Sequence, residues 1–185
     1  MLFRSSGEPG ANLYGVGPLA LNSASGRLSY NPFQDWSFSA SYGYLKADVN
    51  EHRLTFSAAY SHEFSHDEKL AATVYFGQNI VQGSDNSNAL LVEATYYHAK
   101  EAFFMRFERV DKDELLDVPA GNHTINKLVF GDVHNFYSKD GIDYGLGAYA
   151  GLYSFPRSLD ASYGDSPLTF GVFLRIRSMA ASSRR

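Results

Sequence analysis

His62, Glu63 and His66 stand in the spacing H-E-x-x-H, the sharpest chemical motif in the chain. On a helix that spacing puts both imidazoles on one face, where they can hold zinc while the glutamate activates its water. The chemistry therefore depends on the backbone beneath it. The preceding residues, LTFSAAYS, alternate as a strand does, and SHDEK reads as a turn. In an extended strand, residues four apart share a face but lie about 13 Å from each other, too far for one ion. No third ligand is evident, so coincidence at a turn is favoured over zinc hydrolysis, and neither a catalytic nor a metal-ligating set is assigned.

Other candidates are weaker. His52, His98, His123 and His134 fall at expected strand ends or loops and read as interfacial or solvated. Two acidic stretches, Ser84-Asp85-Asn86 and the group Asp111, Asp113, Glu114 and Asp117, offer oxygen ligands suited to Ca²⁺. A solvated acidic loop is the plainer reading of both. No G-x-S-x-G, P-loop or dinucleotide fingerprint occurs, so no cofactor is expected.

The elements that must position these residues are strands. Among 185 residues, Phe (14), Tyr (13) and Gly (16) are plentiful, Pro (6) is sparse and Cys is absent. That mix suits strands and tight turns and excludes a disulfide framework or thiolate metal site. A net charge of −4, with both signs spread along the chain, leaves no nucleic-acid footprint. No apolar run is long enough for a transmembrane helix.

Nine strand-like segments follow one another: Ala24–Asn31, Asp35–Lys46, Arg53–Phe64, Lys69–Asn79, Asn88–His98, Ala102–Val110, Thr124–Phe136, Ile142–Phe155 and Leu168–Arg177. Most alternate with period two. In the second, Trp36, Phe38, Ala40, Tyr42 and Tyr44 oppose Ser37, Ser39, Ser41 and Gly43; in the ninth, Leu168, Phe170, Val172, Leu174 and Ile176 oppose Thr169, Gly171, Phe173, Arg175 and Arg177. Links alternate as well: the short NPFQ, SHDE, AKE and YSKDG are interleaved with the longer KADVNEH, IVQGSDNS, DKDELLDVPAGNH and PRSLDASYGDSP. Outer-membrane barrels place short turns on the periplasmic side and long loops outside. Strands of about ten residues are also the length a tilted strand needs to cross a bilayer.

The expected fold is thus all-β: an antiparallel, up-and-down transmembrane β-barrel with nine or ten strands seen here, part of a larger barrel. Residues 1–23 become an external loop or the remnant of an upstream strand, 24–177 the barrel strands and 178–185 a C-terminal tail. Closure then needs upstream strands, a tenth from residues 2–7, or another chain. The N-terminal MLFRSSGEPG has no signal-peptide character, so truncation upstream is expected. A soluble β-sandwich or lipocalin-like barrel shares the period-two pattern and remains the alternative.

An Arg at the midplane of a lipid-facing surface costs roughly 2–4 kcal/mol. Arg106 and Glu108 are mid-strand, so their face should line the lumen, with Phe103, Met105 and Phe107 outside. The same test puts Glu93 inside and Leu90, Val92, Ala94 and Tyr96 outside. The full lumen set is Arg27, Glu93, Arg106, Glu108, Lys127, Arg175 and Arg177, with Tyr75, Tyr97, Tyr149 and Tyr153 beside them. In a wide barrel these charges would tune solute selectivity; in a narrow one they would pair and plug it. Asp132 shares a face with Leu128, Phe130 and His134, which requires an interfacial level or a bulge. Trp36, Tyr30, Tyr44 and Phe155 suit an interfacial aromatic girdle.

SGRLSYNP, DWSFSASYGYLK, RFERVDKDELL and PLTFGVFLRIR, with RSSGEPGAN as a divergent Gly-Arg-Glu-Pro-like stretch, resemble a group of uncharacterised bacterial outer-membrane β-barrel proteins. The resemblance covers most of residues 3–177 and brings no catalytic residues. It implies outer-membrane lipid, lipopolysaccharide and the barrel-assembly machinery as partners. Under it, two functions stay open: a passive channel or transport-associated pore, and a structural or adhesive barrel whose external loops bind cations or partners. The ending SMAASSRR departs from the aromatic or aliphatic terminus usual for such barrels.

Overall fold

The computed structural model describes residues 23–46, 49–112, 115, 121–165 and 167–178. Nine strands follow in order: β1 (Ser23–Phe33), β2 (Trp36–Lys46), β3 (Asn50–Ser65), β4 (Glu68–Val81), β5 (Ser87–His98), β6 (Glu101–Lys112), β7 (His123–Lys139), β8 (Ile142–Ser154) and β9 (Leu168–Ser178). Each pairs antiparallel with the next, in the spatial order β1 to β9. The all-β, antiparallel, up-and-down architecture is as the alternation predicts. Among the described residues the sheet is open, with β1 and β9 as its two edges. Of the expected loop or strand remnant 1–23 and tail 178–185, only Ser23 and Ser178 are described, in β1 and β9; the optional tenth strand from residues 2–7 lies outside the described residues.

The strands outrun their expected ends, because the hairpin ladders continue to the turns. One end of the sheet is closed by two-residue links at Gln34–Asp35, His66–Asp67, Ala99–Lys100 and Asp140–Gly141. Asp140 and Gly141 both have positive φ (52° and 77°), the pairing that matches a tight turn to strand twist. Links at the other end span residues 47–49, 82–86, 113–122 and 155–167. The length alternation therefore holds, though Asn50–His52, expected in a loop, belong to β3. The last long link folds on itself through a 3₁₀ turn (Arg157–Leu159) and α1 (Asp160–Tyr163), burying Leu159.

Flat, β5 and β9 would stand roughly 19 Å apart, at about 4.8 Å per strand step. Yet the Arg177 guanidinium lies 5.4 Å from the centre of the Tyr97 ring, and the Phe104 and Phe173 rings, three strands apart, are 6.3 Å apart. The sheet is curled, with this face concave. Among the described residues no second layer covers the apolar side chains of the convex face. Phe56, Phe130 and Leu146, all on interior strands, stay 53%, 50% and 53% exposed. Among the described residues only Ala102, Val133 and Leu159 are buried hydrophobics. A soluble sandwich would seal one such face against a second layer.

Candidate lumen surface

Directly paired residues of neighbouring strands point to the same side, so the register carries a face assignment across the sheet. Glu93 pairs with Arg106, Glu108 with Lys127, and Lys127 with Tyr153. Tyr75 pairs with Leu91, which pairs with Glu108; Tyr97 pairs with Ala102. Tyr149 pairs with Gly171, Gly145 with Arg175, and Asp143 with Arg177. Arg27 joins through Ser41 and Thr55. Every residue of the expected lumen set falls on the concave face. Phe103, Met105, Phe107, Leu90, Val92, Ala94 and Tyr96 fall on the other, the split that period-two alternation predicts.

The concave face has two halves. On β1 to β3 hydroxyls fill its middle: Ser39 Oγ and Ser57 Oγ are 2.8 Å apart, and Ser41 Oγ and Thr55 Oγ1 2.5 Å. On β5 to β9 it is charged and aromatic. Arg106 Nε lies 2.5 Å from Glu108 Oε1, and its Nη1 lies 4.0 Å from Glu93 Oε2. Lys127 Nζ stands 5.3 Å from the centre of the Tyr153 ring. Arg177 Nη2 donates to Asp143 Oδ2 at 2.7 Å, and Ser138 Oγ donates to Asp143 Oδ1 at 2.6 Å. Rings lie directly over cross-strand glycines. A Cβ on Gly147 would come within 2.5 Å of the Phe173 ring, and one on Gly131 within 2.5 Å of Phe104. The glycines of YGLGAYAG thus make room for rings folded down onto the wall. Between them, Thr95, Tyr97, Phe104, Arg106, Phe173 and Arg175 help line a cavity of about 380 Å³.

Sequence reasoning missed five charges of this face, Glu51, Arg53, Glu63, Lys69 and Lys112, and also Asp143. Glu51 and Arg53 pair at 2.7 Å, and Glu63 with Lys69 at 3.0 Å. Glu51 falls in the link KADVNEH, which reads as loop in the sequence, and Glu63 and Lys69 flank a turn. Asp143 shares the parity of Gly145, so its position was readable, but nothing local shows that it is nearly buried.

The H-E-x-x-H residues do not converge. His62 is on the convex face, where Nδ1 meets Asp35 Oδ2 at 2.8 Å, while Glu63 is on the concave face with Lys69. His66 is in the turn. The acidic group at the long-loop end divides too. Asp113, Glu114 and Asp117 lie outside the described residues. Asp111 accepts hydrogen bonds from Asn88 N (3.0 Å), Asn88 Nδ2 (3.1 Å) and Thr124 Oγ1 (2.7 Å), tying β5, β6 and β7 together. Asp111→Ala should therefore cost about 1–2 kcal/mol in a urea titration and raise amide exchange at Asn88, leaving the other strands protected.

On the convex face, aromatic and imidazole rings cluster at both ends of an apolar band. At the two-residue-turn end, Trp36 contacts Phe38 and Tyr60, and His62 contacts Tyr60 and Phe64. At the other end His52 contacts Tyr42 and Tyr44. Phe155 differs from its expected girdle role, because it stacks edge-on with Tyr163 of the loop helix. Asp132 is on this face in regular ladder, paired with Phe103 and Ala148; the bulge comes later, between Asn135 and Tyr137. Its Oδ1 is shut from solvent without a partner, one ladder step above the His134–Glu101 ion pair of 2.6 Å.

Fold and face together define an open, curled, up-and-down antiparallel sheet, polar within and apolar without. No family model and no curated protein matches the chain, so the uncharacterised family it resembles is not assigned. Among solved structures, the crystal structure of Pseudomonas aeruginosa OccK7 (OpdD) is similar at a TM-score of 0.43 and 11% identity, over 83% of this chain and 54% of that one. The chain spans about half the length of that protein.

Proposed function

We propose that this chain forms part of the wall of a β-barrel in a bacterial outer membrane, and that the barrel passes small hydrophilic solutes. The observation that carries this reading is the pair of opposite faces. Outside, an apolar band is bounded by aromatics at both ends; inside, hydroxyls and charges line a curled wall. In lipid every backbone group must be paired within the protein, which favours strands in a closed sheet. Among the described residues no helix is long and apolar enough to cross a membrane. The strands, of 11 to 17 residues, meet or exceed the nine to eleven or so that a tilted crossing needs.

On this reading the two-residue turns face the periplasm, and the outer surface meets lipid and lipopolysaccharide after delivery by the barrel-assembly machinery. Splitting of His62 and Glu63 between faces argues against a zinc hydrolase. The test is single-channel recording of the full-length protein in planar bilayers. Discrete conductance steps are expected; absence of any ion or solute flux would sink the proposal.

A further inference from the structure

We propose that Arg175 is an anion-binding point in the lumen and gives it a preference for small anions over cations; this rests on the channel reading above. Most charges of the concave face are cancelled by a neighbour. Arg53 is matched by Glu51, Lys69 by Glu63, Arg106 by Glu108 and Glu93, and Arg177 by Asp143. Lys127 stands directly across the ladder from Glu108. Arg27, on the edge strand β1, is exposed to water and screened.

Arg175 is different. Its Nη2 donates to Asn135 Oδ1 at 2.9 Å, which orients the guanidinium without neutralising it. Its Nε is shut from solvent and has no partner. Among the described residues no carboxylate oxygen lies within ion-pair distance, since Asp143, two ladder positions away, is held by Arg177 and Ser138. The guanidinium lines the same cavity as Phe104, Phe173 and Tyr97, whose rings displace water from one side of it. A charge with no ion-pair partner beside low-dielectric walls projects a stronger field than one in bulk water. With one Nη2 hydrogen engaged and Nε enclosed, the guanidinium keeps its remaining Nη hydrogens for a passing anion.

The experiment records the full-length protein in planar bilayers under a KCl gradient and reads the chloride-to-potassium permeability ratio from the reversal potential. The wild type should favour chloride. Arg175→Gln should lower the ratio about fivefold, Arg175→Glu should invert the preference, and Arg175→Lys should keep it. The pair Glu51→Gln with Arg53→Gln, which removes two matched charges, should leave it unchanged. Barrel formation in each variant is checked by its mobility in unheated electrophoresis. A conducting wild type with no chloride preference, or an unaltered ratio in folded Arg175→Glu, overturns this inference alone. A folded protein that never conducts overturns the channel reading instead.

Discussion

Val74→Arg should destabilise the protein in lipid vesicles by about 2–4 kcal/mol, whereas Thr73→Arg, one residue away, should cost less than about 1 kcal/mol. Val74 lies mid-strand on the convex face, paired with Ala58 and Val92, with only apolar neighbours to receive a guanidinium. Thr73 lies on the concave face, paired with Ala59 and Glu93, whose carboxylate has only a 4.0 Å contact to Arg106. An arginine there gains a partner in a wet space. Urea titration of folding into vesicles, read from the fluorescence of the single Trp36, measures both. Equal costs for the two substitutions would show that the faces are wrongly assigned to lipid and lumen.

That contrast rests on a face assignment that the sequence carried almost whole. Period two is a local property, and Arg106 with Glu108 told which parity was polar, so one mid-strand argument oriented two strands and the ladder oriented the rest. Link lengths likewise sorted the turns into a short-link end and a long-link end. What stayed hidden was non-local. Arg177 reaching Tyr97 across four strand steps depends on curvature, which no period encodes. Phe173 lying over Gly147 depends on register between strands joined by a long link. The charge arithmetic was hidden for the same reason. Arg175 and Arg177 look alike in sequence, two residues apart on one face, yet only Arg177 has an acid opposite it.

Alternation alone leaves a soluble β-protein open, and the exposure of one apolar face among the described residues speaks for the membrane reading proposed above. A packed core stabilises by about 1.5–3 kcal/mol for each large apolar side chain it removes from water. Here Phe56, Phe130 and Leu146 and their neighbours would forgo that contribution in water and regain it in hydrocarbon. Polar groups on the same surface concentrate toward its ends, as Asp111 and the His134–Glu101 pair do, where lipid headgroups and water are within reach.

The second large effect should come from Asp143, whose side chain is only 9% exposed and accepts from both Ser138 and Arg177. Asp143→Ala strands the Arg177 guanidinium and the Ser138 hydroxyl together. Breaking a fully buried pair this way costs about 3–5 kcal/mol, but Arg177 is 40% exposed and partly screened, so about 2–3 kcal/mol is expected. Asp143→Asn, which keeps an acceptor for Ser138, should cost less. The double variant Asp143→Ala with Arg177→Met removes both charges and should recover much of the loss, because no unpaired ion is left on the wall. Urea titration in vesicles measures all three. If the double variant is as unstable as Asp143→Ala alone, the pair is not what holds β8 and β9 at this end. The Arg177–Tyr97 contact would then follow from the curl of the sheet rather than help to set it.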